Sequence, residues 1–438
     1  MTGRQEIDSS TVAICEGALL LRFKVVHAAD LHLDTPCSGL GRTAPAVAAA
    51  LREASLEAFA GLVELCLREE AAILLLAGDV YDGPERGIRA ERRLRAGLER
   101  LGVAGVRTFA VHGNHDPLSG DGGAAWGTGT HVFAADEVTA VPVERDGTVI
   151  ATVHGISFRE REERRNLARL FRPSGEGLQI GLLHANVGDP QHAPYAPCST
   201  EDLRAAGMDY WALGHVHGRR LVLEGGPWGA YPGVLQGRSP AGGETGAKGA
   251  LVLACDDRLG LLEPPRFVAL DRIRFETLEV DISGAMDVQD AIDRLETAAQ
   301  TAREEAEGRG VILRATLTGD FGPEAELQLR QGEILASLQE TGLAQDPFVW
   351  WDALDLRTRA PILRDEIRGG GDLAAEVLRE ADRLRASPDD LGRILGELEQ
   401  DLSRFPVRDA LAGRTPAADL LTEAEEICLR LLTGGDGR

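Results

Sequence analysis

The sequence predicts an α/β fold in which buried strands alternate with helices. Five apolar runs of four to six residues have the length and composition of fully buried strands. Apolar residues also recur at helical spacing over residues 46–69 and 87–101, which supplies the crossover helices that parallel strands require. The predicted strands are residues 23–28, 72–77, 106–111, 178–183 and 210–213.

Polar residues that can bind metal ions follow each of these runs. The five segments are Asp30-Leu31-His32, Gly78-Asp79-Val80-Tyr81-Asp82, Gly113-Asn114-His115-Asp116, His184 and Gly214-His215-Val216-His217. In open α/β sheets, ligands bind beyond the carboxyl ends of the strands, which is where these segments lie. Each segment alone is a weak signal, but together and in this order they predict a two-metal phosphoesterase site.

The residue types indicate how two ions could be held. A two-metal hydrolase needs nitrogen and oxygen ligands, one ligand shared between the ions, and open positions for water and phosphate. Asp79 is the central carboxylate of the set and therefore the best candidate for the shared ligand. In an extended H-x-H segment the two side chains point to opposite faces, so the two histidines can serve different ions. The expected ligands are Asp30, His32 and His217 for one ion and Asn114, His184 and His215 for the other.

Four further residues are candidates for catalysis or substrate binding. His115 adjoins a ligand, and Asp116 beside it could orient its ring. We therefore expect His115 to stabilise the transition state or to deliver a proton to the leaving oxygen. His192 could contact substrate or pack its own loop. Arg238 could bind a phosphate through both guanidinium nitrogens or form a surface salt bridge. Asp82 is expected to hydrogen-bond the residues around the ions rather than to bind an ion itself.

Longer strings around these residues resemble a known family. They include "HAADLHLDTP", "LLLAGDVYD", "VHGNHD", "LLHANVG", "HAPYAPCS", "DYWALGHVHGRR" and "YPGVLQGR". The set resembles the calcineurin-like metallophosphoesterases and, more narrowly, the SbcD-type bacterial DNA repair exonucleases with their YhaO-like group. The resemblance covers roughly residues 23–270, and the rest more loosely. That group usually has Asn where this chain has Val234, which affects the expected substrate contacts but not the metal site.

The resemblance has several implications. It implies a layered fold, with a β-sandwich flanked by helices, and it carries the metal-binding roles onto the positions named above. It also implies a Mn²⁺-dependent nuclease that acts on DNA ends, forms a homodimer and works with an SMC-like coiled-coil ATPase. The residues themselves are less selective, because a ligand set without thiolates favours Mn²⁺, Fe or Zn.

Changes in pattern along the chain predict four segments. They are an N-terminal extension (1–22), a metallophosphoesterase domain (23–270), a small α/β cap domain (271–360) and a helical C-terminal region (361–438). The cap is predicted because strand and helix patterns alternate between residues 273 and 356. The helical region carries Ser387-Pro388, which is typical of a helix start.

Charge and cysteine usage narrow the function classes. The net charge is −23, with −16 in residues 271–438 and −7 in residues 1–270. This acidity argues against a protein that binds DNA mainly through its own surface. The six cysteines are scattered without C-x-x-C spacing, which predicts reduced thiols in a cytoplasmic protein. No apolar run approaches a membrane span, and the N-terminus lacks the pattern of a signal peptide.

These observations predict a two-metal-dependent DNA exonuclease of DNA repair. One alternative is a phosphodiesterase or phosphatase that uses the same site on small nucleotides. A second alternative is a non-catalytic scaffold for an ATPase, which the complete ligand set disfavours. Hydrolysis of duplex DNA compared with that of a small diester separates the first two, and metal content tests the third.

Overall fold

The computed structural model describes residues 14–15, 18–19, 21–35, 44–83, 87–120, 126–240, 243–402 and 417–432. The strands are β1 (Ile14–Cys15), β2 (Ala18–Leu19), β3 (Arg22–Ala28), β4 (Ile73–Ala77), β5 (Arg107–Val111), β6 (Thr130–Val132), β7 (Thr139–Arg145), β8 (Thr148–Gly155), β9 (Leu178–His184), β10 (Tyr210–Gly214), β11 (Arg220–Leu223), β12 (Trp228–Tyr231), β13 (Gly249–Asp256), β14 (Gly260–Leu261), β15 (Arg266–Ala269), β16 (Ile273–Asp281), β17 (Gly310–Asp320) and β18 (Val349–Arg359). The helices are α1 (Pro45–Arg68), α2 (Ile88–Val103), α3 (Thr200–Ala205), α4 (Val288–Glu305), α5 (Glu324–Leu343), α6 (Arg364–Arg368), α7 (Leu373–Ala386), α8 (Pro388–Leu402) and α9 (Ala417–Leu432).

The chain divides into two compact units. The first comprises Met1–Leu278, Ala298–Ala315 and Leu335–Ala353, and the second comprises Glu279–Thr297, Thr316–Ile334 and Leu354–Arg438. The domain boundaries expected from the sequence, after residues 22, 270 and 360, stay predictions. Most of residues 1–22 lies outside the described part of the chain, as does Cys37.

Two large sheets form the framework of the first unit. One has the order β14-β13-β3-β4-β5-β6, with β15 also paired to β13, and the other has the order β11-β12-β10-β9-β8-β7. Strands β3 to β6 run parallel, and so do β8, β9, β10 and β12. All five strands expected from the apolar runs are therefore confirmed. Their carboxyl ends lie together because neighbours in each sheet run in the same direction.

The alternation of side chains along the strands builds three packed layers. One face of the two sheets forms a shared core, which includes Val25, Leu75 and Phe109 from one sheet and Ile180 and Tyr210 from the other. The opposite face of the larger sheet packs on α1 and α2, and that of the smaller sheet on α3 and nearby turns. The predicted β-sandwich flanked by helices is confirmed. Successive residues of a strand reach different layers because their side chains alternate between faces.

The remaining chain forms a small sheet and a helical tail. Strands β16, β17 and β18 make a three-stranded sheet with β17 in the middle, and α4 and α5 connect them in sequence. These five elements match the alternation of strands and helices expected from the sequence. No helix of the described part of the chain is long and apolar enough to cross a membrane. Cys66, Cys198, Cys255 and Cys428 are free thiols.

Helix α9 buries a different face from the one that its leucine pattern indicates. The sequence favours an apolar stripe along this helix, of which two residues are half-buried and four are exposed. The half-buried residues are Leu420 and Leu421, and the exposed ones are Ala424, Ile427, Cys428 and Leu431. The buried residues are Glu425 and Leu429. The buried stripe therefore centres on a carboxylate, which a hydrophobic periodicity cannot detect.

Glu425 is held by two arginines. Its Oε1 accepts a hydrogen bond from Arg364 at 2.9 Å, and its Oε2 lies 2.5 Å from an Arg385 nitrogen. Its side chain is fully buried, whereas both arginines are partly exposed. A buried carboxylate is tolerated only with such partners, so this triad joins α9 to α6 and α7.

Replacing both Arg364 and Arg385 by alanine should therefore destabilise the tail by about 3–5 kcal/mol, because Glu425 would become a buried charge without a partner. Amide hydrogen exchange of α7 and α9 measures the effect locally. The control is Glu425→Leu, which removes the charge but keeps the packing and should lower protection much less. Equal loss of protection in the two variants would contradict this role for the triad.

Candidate metal centre

The five sequence segments meet at the carboxyl ends of β3, β4, β5, β9 and β10. Two groups of side chains, Asp30 with His32 and His217, and Asp30 with Asp79 and His184, each bring one ligand atom per residue to within 4.8 Å of the others. A third group with the same spacing is His32, Asp82 and His115. All except His115, His217 and Asp82 are buried. The structure thus brings the predicted residues together.

Asn114 joins two histidines on one side of this cluster. Its Oδ1 lies 3.0 Å from His184 Nε2 and 3.2 Å from His215 Nδ1. Asp79 Oδ2 lies 3.4 Å from the same His184 nitrogen. These four atoms therefore form one connected cluster, and their role as ligands of one ion stays a prediction. His217 instead faces His32, with ring centroids 5.3 Å apart, so the two histidines of the H-x-H segment serve different sides.

The outer nitrogens of three histidines are held by the protein. His184 Nδ1 lies 2.8 Å from Ala77 O, His215 Nε2 lies 2.9 Å from Ala193 O, and His217 Nδ1 lies 2.7 Å from Glu244 Oε1. Each carbonyl or carboxylate accepts a hydrogen bond from the ring nitrogen facing it, which leaves the other nitrogen to bind an ion once that nitrogen carries no proton. Metal-ligating histidines are typically fixed in this way. The donor set therefore fits a pair of divalent ions.

His32 supports the same conclusion by a different route. Both of its ring nitrogens are buried, and neither has a hydrogen-bond partner among the described residues. Burial lowers the pKa of His32 well below its usual value, and burial lowers that of His215 to about 3. Both rings are therefore neutral at pH 7. A neutral, unpaired imidazole is the form that binds a metal ion.

The charge of the site favours a cation. Burial acts to lower the pKa of His184, but the negative charge of Asp79 and the contact with it outweigh burial and raise the pKa to about 9. Burial likewise acts to raise the pKa of Asp79, but the charge of His184 and the contact with it hold that pKa below its usual value. Ionised Asp79 thus stabilises positive charge at the centre of the cluster, which is where the ions would lie.

The backbone of the site is strained where the ligands are presented. Non-glycine residues with positive φ include Asp30 (51°), His32 (42°), Asp79 (51°) and His215 (105°). Such conformations persist only where the surroundings enforce them, and they cluster at functional sites. Gly214 precedes one of these residues and has no room for a side chain, because a Cβ there would overlap the carbonyl oxygen of Ala77.

The predicted partner of His115 is wrong. His115 Nδ1 is in contact with Asp82 Oδ1, and that contact raises the pKa of His115 and lowers the pKa of Asp82 to about 2. Asp116 was expected to orient the His115 ring, but its carboxylate accepts hydrogen bonds from the amides of Val80 and Gly113, both at 2.8 Å. Asp116 therefore ties together the loops after β4 and β5. Sequence adjacency misled the prediction because neighbouring side chains in a tight turn diverge.

The two substrate-contact candidates differ in position. Arg238 makes salt bridges to Asp82 at 3.1 Å and to Glu244 at 3.3 Å, and these pairs are partly buried rather than on the open surface. Its contact with a phosphate stays a prediction. His192 lies near the site, with its ring centroid 6.0 Å from that of His215, and its Nδ1 is 3.5 Å from Asp189. Its contact with substrate stays a prediction.

The sequence did not indicate Glu244 or the backbone of the loop that follows β9. Glu244 lies in the glycine-rich string "AGGETG", which carries no spacing signal. Ala193 contributes only its carbonyl oxygen, which any residue could supply. Asn186 organises that loop, since its amide nitrogen donates to the carbonyls of Asp189, His192 and Ala193 at 2.9–3.2 Å. Val234 is buried, and its amide bonds the His217 carbonyl at 3.1 Å.

Comparison with known proteins agrees with this fold. Residues 23–219 match the model of the calcineurin-like phosphoesterases, and residues 275–359 match the middle domain of metallophosphoesterase YhaO. The uncharacterized metallophosphoesterase YhaO of Bacillus subtilis is 30% identical over 405 residues, which is 90% of either chain. The DNA double-strand break repair protein Mre11 of Aeropyrum pernix is 29% identical over 48% of this chain and 53% of its own. The SbcD component of the nuclease SbcCD from Rhodobacter capsulatus is 37% identical over 22% of each chain.

The two-sheet fold and its site therefore define a calcineurin-like metallophosphoesterase, a hydrolase of phosphoester bonds. Within that class the chain belongs to the YhaO-like family. The resemblance seen in the sequence is confirmed.

Proposed function

We propose that this protein is a two-metal-dependent phosphodiesterase that acts as a DNA exonuclease in DNA repair. The observation that carries the proposal is a cluster of possible ligand atoms in which three histidine rings are already oriented. One ring nitrogen of each is hydrogen-bonded to a carbonyl or carboxylate oxygen of the protein. Asp79 follows β4, which lies between β3 and β5, and this central place suits a carboxylate shared by both ions. The proposed ligands are Asp30, His32, Asp79 and His217 for one ion and Asp79, Asn114, His184 and His215 for the other.

The residues of the chain would divide the work of hydrolysis. When bound, the two ions would activate a water molecule and neutralise charge on the attacking and leaving oxygens. His115 would face the leaving oxygen through Nε2, because its Nδ1 is turned to Asp82. Asp82 would keep that ring protonated and in place, so that His115 can donate a proton or stabilise negative charge. Asp116 would fix the distance between the loop after β4, which carries Asp79, and the loop after β5, which carries Asn114.

DNA as substrate is supported by the relatives. The names of Mre11 and of the SbcCD component concern double-strand break repair and nuclease activity. Mn²⁺ suits a ligand set of imidazole, carboxylate and amide oxygen. The net charge of −23 favours the alternative, a small nucleotide diester, or else a partner that supplies the positive surface for DNA. We propose the latter, with an SMC-like ATPase as that partner, a homodimer as the assembly and the cytoplasm as the location.

With Mn²⁺, the protein should degrade end-labelled duplex DNA, and the ATPase partner should raise the rate. Binding of DNA by the isolated, metal-free protein should be weak, because the net charge of −23 repels the phosphates, and the binding that local arginine contacts provide should fall steeply with salt. A cyclic or linear mononucleotide diester serves as the matched substrate. Cleavage of the small diester without any degradation of duplex DNA, with or without the ATPase, would favour the small-nucleotide alternative.

The helical tail is the proposed docking element for the ATPase. Ile427 and Leu431 of α9 are 59% and 79% exposed, so the described residues leave an apolar face of this helix uncovered. Amphipathic helices of this kind bind partner helices through such a face. The acid excess of residues 271–438 would steer a basic partner surface toward it.

Ile427→Glu with Leu431→Glu should abolish co-purification with the ATPase while Mn²⁺-dependent cleavage by the isolated protein stays unchanged. The control is Leu329→Glu, which places the same charge at another exposed leucine (86%) on α5. Full ATPase binding by the double variant would remove α9 from the docking proposal.

A further inference from the structure

Arg238 and Glu244 connect two parts of the site that lie on different loops. Glu244 Oε1 is 2.7 Å from His217 Nδ1, on the metal-binding side. Arg238 Nη1 donates to Asp82 Oδ2 at 3.1 Å, and Asp82 in turn contacts His115. Arg238 Nη2 lies 3.3 Å from Glu244 Oε1, which closes the connection. One continuous set of contacts therefore runs from an expected metal ligand to the non-ligand histidine.

We propose that Glu244 and Arg238 are positioning residues that couple the metal ligand His217 to His115. Glu244 holds His217 with Nδ1–H outward, so that Nε2 faces the ion. Arg238 anchors the carboxylates of both Glu244 and Asp82 and thereby sets the place of His115. This inference rests on the proposed function, since it concerns the same metal site and the same reaction.

Glu244 is buried, and its carboxylate is surrounded by hydrogen-bond donors. Only 6% of its side chain is exposed, and burying a carboxylate is unfavourable unless donors surround it. Glu244 has three: the His217 ring, the Arg238 side chain and the Arg238 amide, which donates to Oε2 at 2.6 Å. Arg238 and Glu244, six positions apart, are thus joined through a single carboxylate. A packing role alone would not place that carboxylate on the histidine ring.

Arg238 is suited to this role by its shape. A guanidinium presents its donors in a rigid plane, so it can engage two carboxylates at a set separation, which a lysine ammonium cannot do. Its two Nη atoms are used on Asp82 and Glu244, and its Nε is buried without a partner among the described residues. Arg238 also neutralises part of the negative charge that these carboxylates bring to the edge of the site. Asp82 and Glu244 would otherwise repel each other there.

Metal titration of the full-length protein tests the Glu244 arm without reference to catalysis. Glu244→Ala should weaken binding of one of two Mn²⁺ ions by about 10–100-fold, the usual effect of losing a residue that orients a ligating histidine. Glu244→Gln should rescue most of this affinity, because its amide oxygen still accepts from His217. The matched control is Glu163→Ala, which removes another buried carboxylate that binds an arginine and a backbone amide but touches no expected ligand.

Kinetics with Mn²⁺ and a phosphodiester test the Arg238 arm. Arg238→Lys should keep both ions and leave KM nearly unchanged while kcat falls, because His115 loses its set position. A double variant of Glu244→Ala with Asp82→Asn should show a smaller combined loss of kcat than the product of the two single losses, since both substitutions break one set of contacts.

The outcomes separate this inference from the proposed function. If Glu244→Ala binds both Mn²⁺ ions as tightly as Glu163→Ala does, the inference is overturned, whatever the protein hydrolyses. Independent losses of kcat in the double variant would likewise overturn the coupling. If the unmodified protein binds two ions but cleaves no diester, the proposed function fails, while the metal titration of Glu244→Ala still decides the positioning role.

Discussion

Asp79→Asn should lose both metal ions and nearly all hydrolysis. Both ions are expected to share this carboxylate, and an uncharged amide is a poorer ligand for each. Two-ion stabilisation contributes several kcal/mol, so the rate should fall by at least about 10³-fold. Elemental analysis after Mn²⁺ loading gives the metal content, and a phosphodiester assay gives the rate. Asparagine suits the test because it tolerates the positive φ of 51° at this position.

Asp30→Asn is the informative comparison. Asp30 belongs to two groups of possible ligands, one with His32 and His217 and the other with Asp79 and His184, in each of which the ligand atoms lie within 4.8 Å of one another. Asp30 is therefore the other candidate for the carboxylate shared by both ions. The proposed assignment gives Asp30 to one ion, and the Asp30 variant should therefore keep the other. Retention of two ions by Asp79→Asn, or loss of both by Asp30→Asn alone, would transfer the bridge from Asp79 to Asp30.

His115→Ala should have the opposite pattern, with both ions kept and turnover lost. His115 is not an expected ligand, and it is 30% exposed at the edge of the cluster with its Nδ1 on Asp82. Removing a group that donates a proton or stabilises charge at the leaving oxygen should lower kcat by about 10²–10⁴-fold. Metal content and kcat measured on the same preparation decide the matter. A variant that has lost its ions would make His115 a ligand, contrary to this assignment.

Asp116 positions two loops of the site and does not orient the His115 ring. Asp116 bonds the amides of Val80 and Gly113 and does not touch the His115 ring. Burial, followed by the charge of Asp79, raises the pKa of Asp116 to about 6. Its contribution is therefore to loop geometry, in contrast to Asp82, which acts on His115 directly.

The layered fold and the expected ligands could be predicted because their signals are local. A buried strand is a short apolar run, and a ligand at its carboxyl end follows a few residues later, as in Asp30 after β3 and His184 at the end of β9. The order of the segments then indicates the family. The structure brings these residues together as the strand pattern implies, and their roles as ligands stay a proposal.

The remaining features depend on contacts that the chain order does not contain. Glu244 reaches His217 across 27 positions, and Arg238 reaches Asp82 across 156. The short strands β11, β12, β14 and β15 are edge or near-edge elements, whose few residues give no clear periodicity. Glu425 shows the same limit in the tail, where a charged residue occupies one of the two buried positions of α9 because two arginines contact it.

Anomalous diffraction from crystals grown with Mn²⁺ tests the central claim most directly. We expect two manganese peaks about 3.5–4 Å apart, with Asp79 in contact with both. Asp30, His32 and His217 should surround one peak, and Asn114, His184 and His215 the other. A single peak, or a pair of peaks that does not share Asp79, would contradict the proposed two-metal centre.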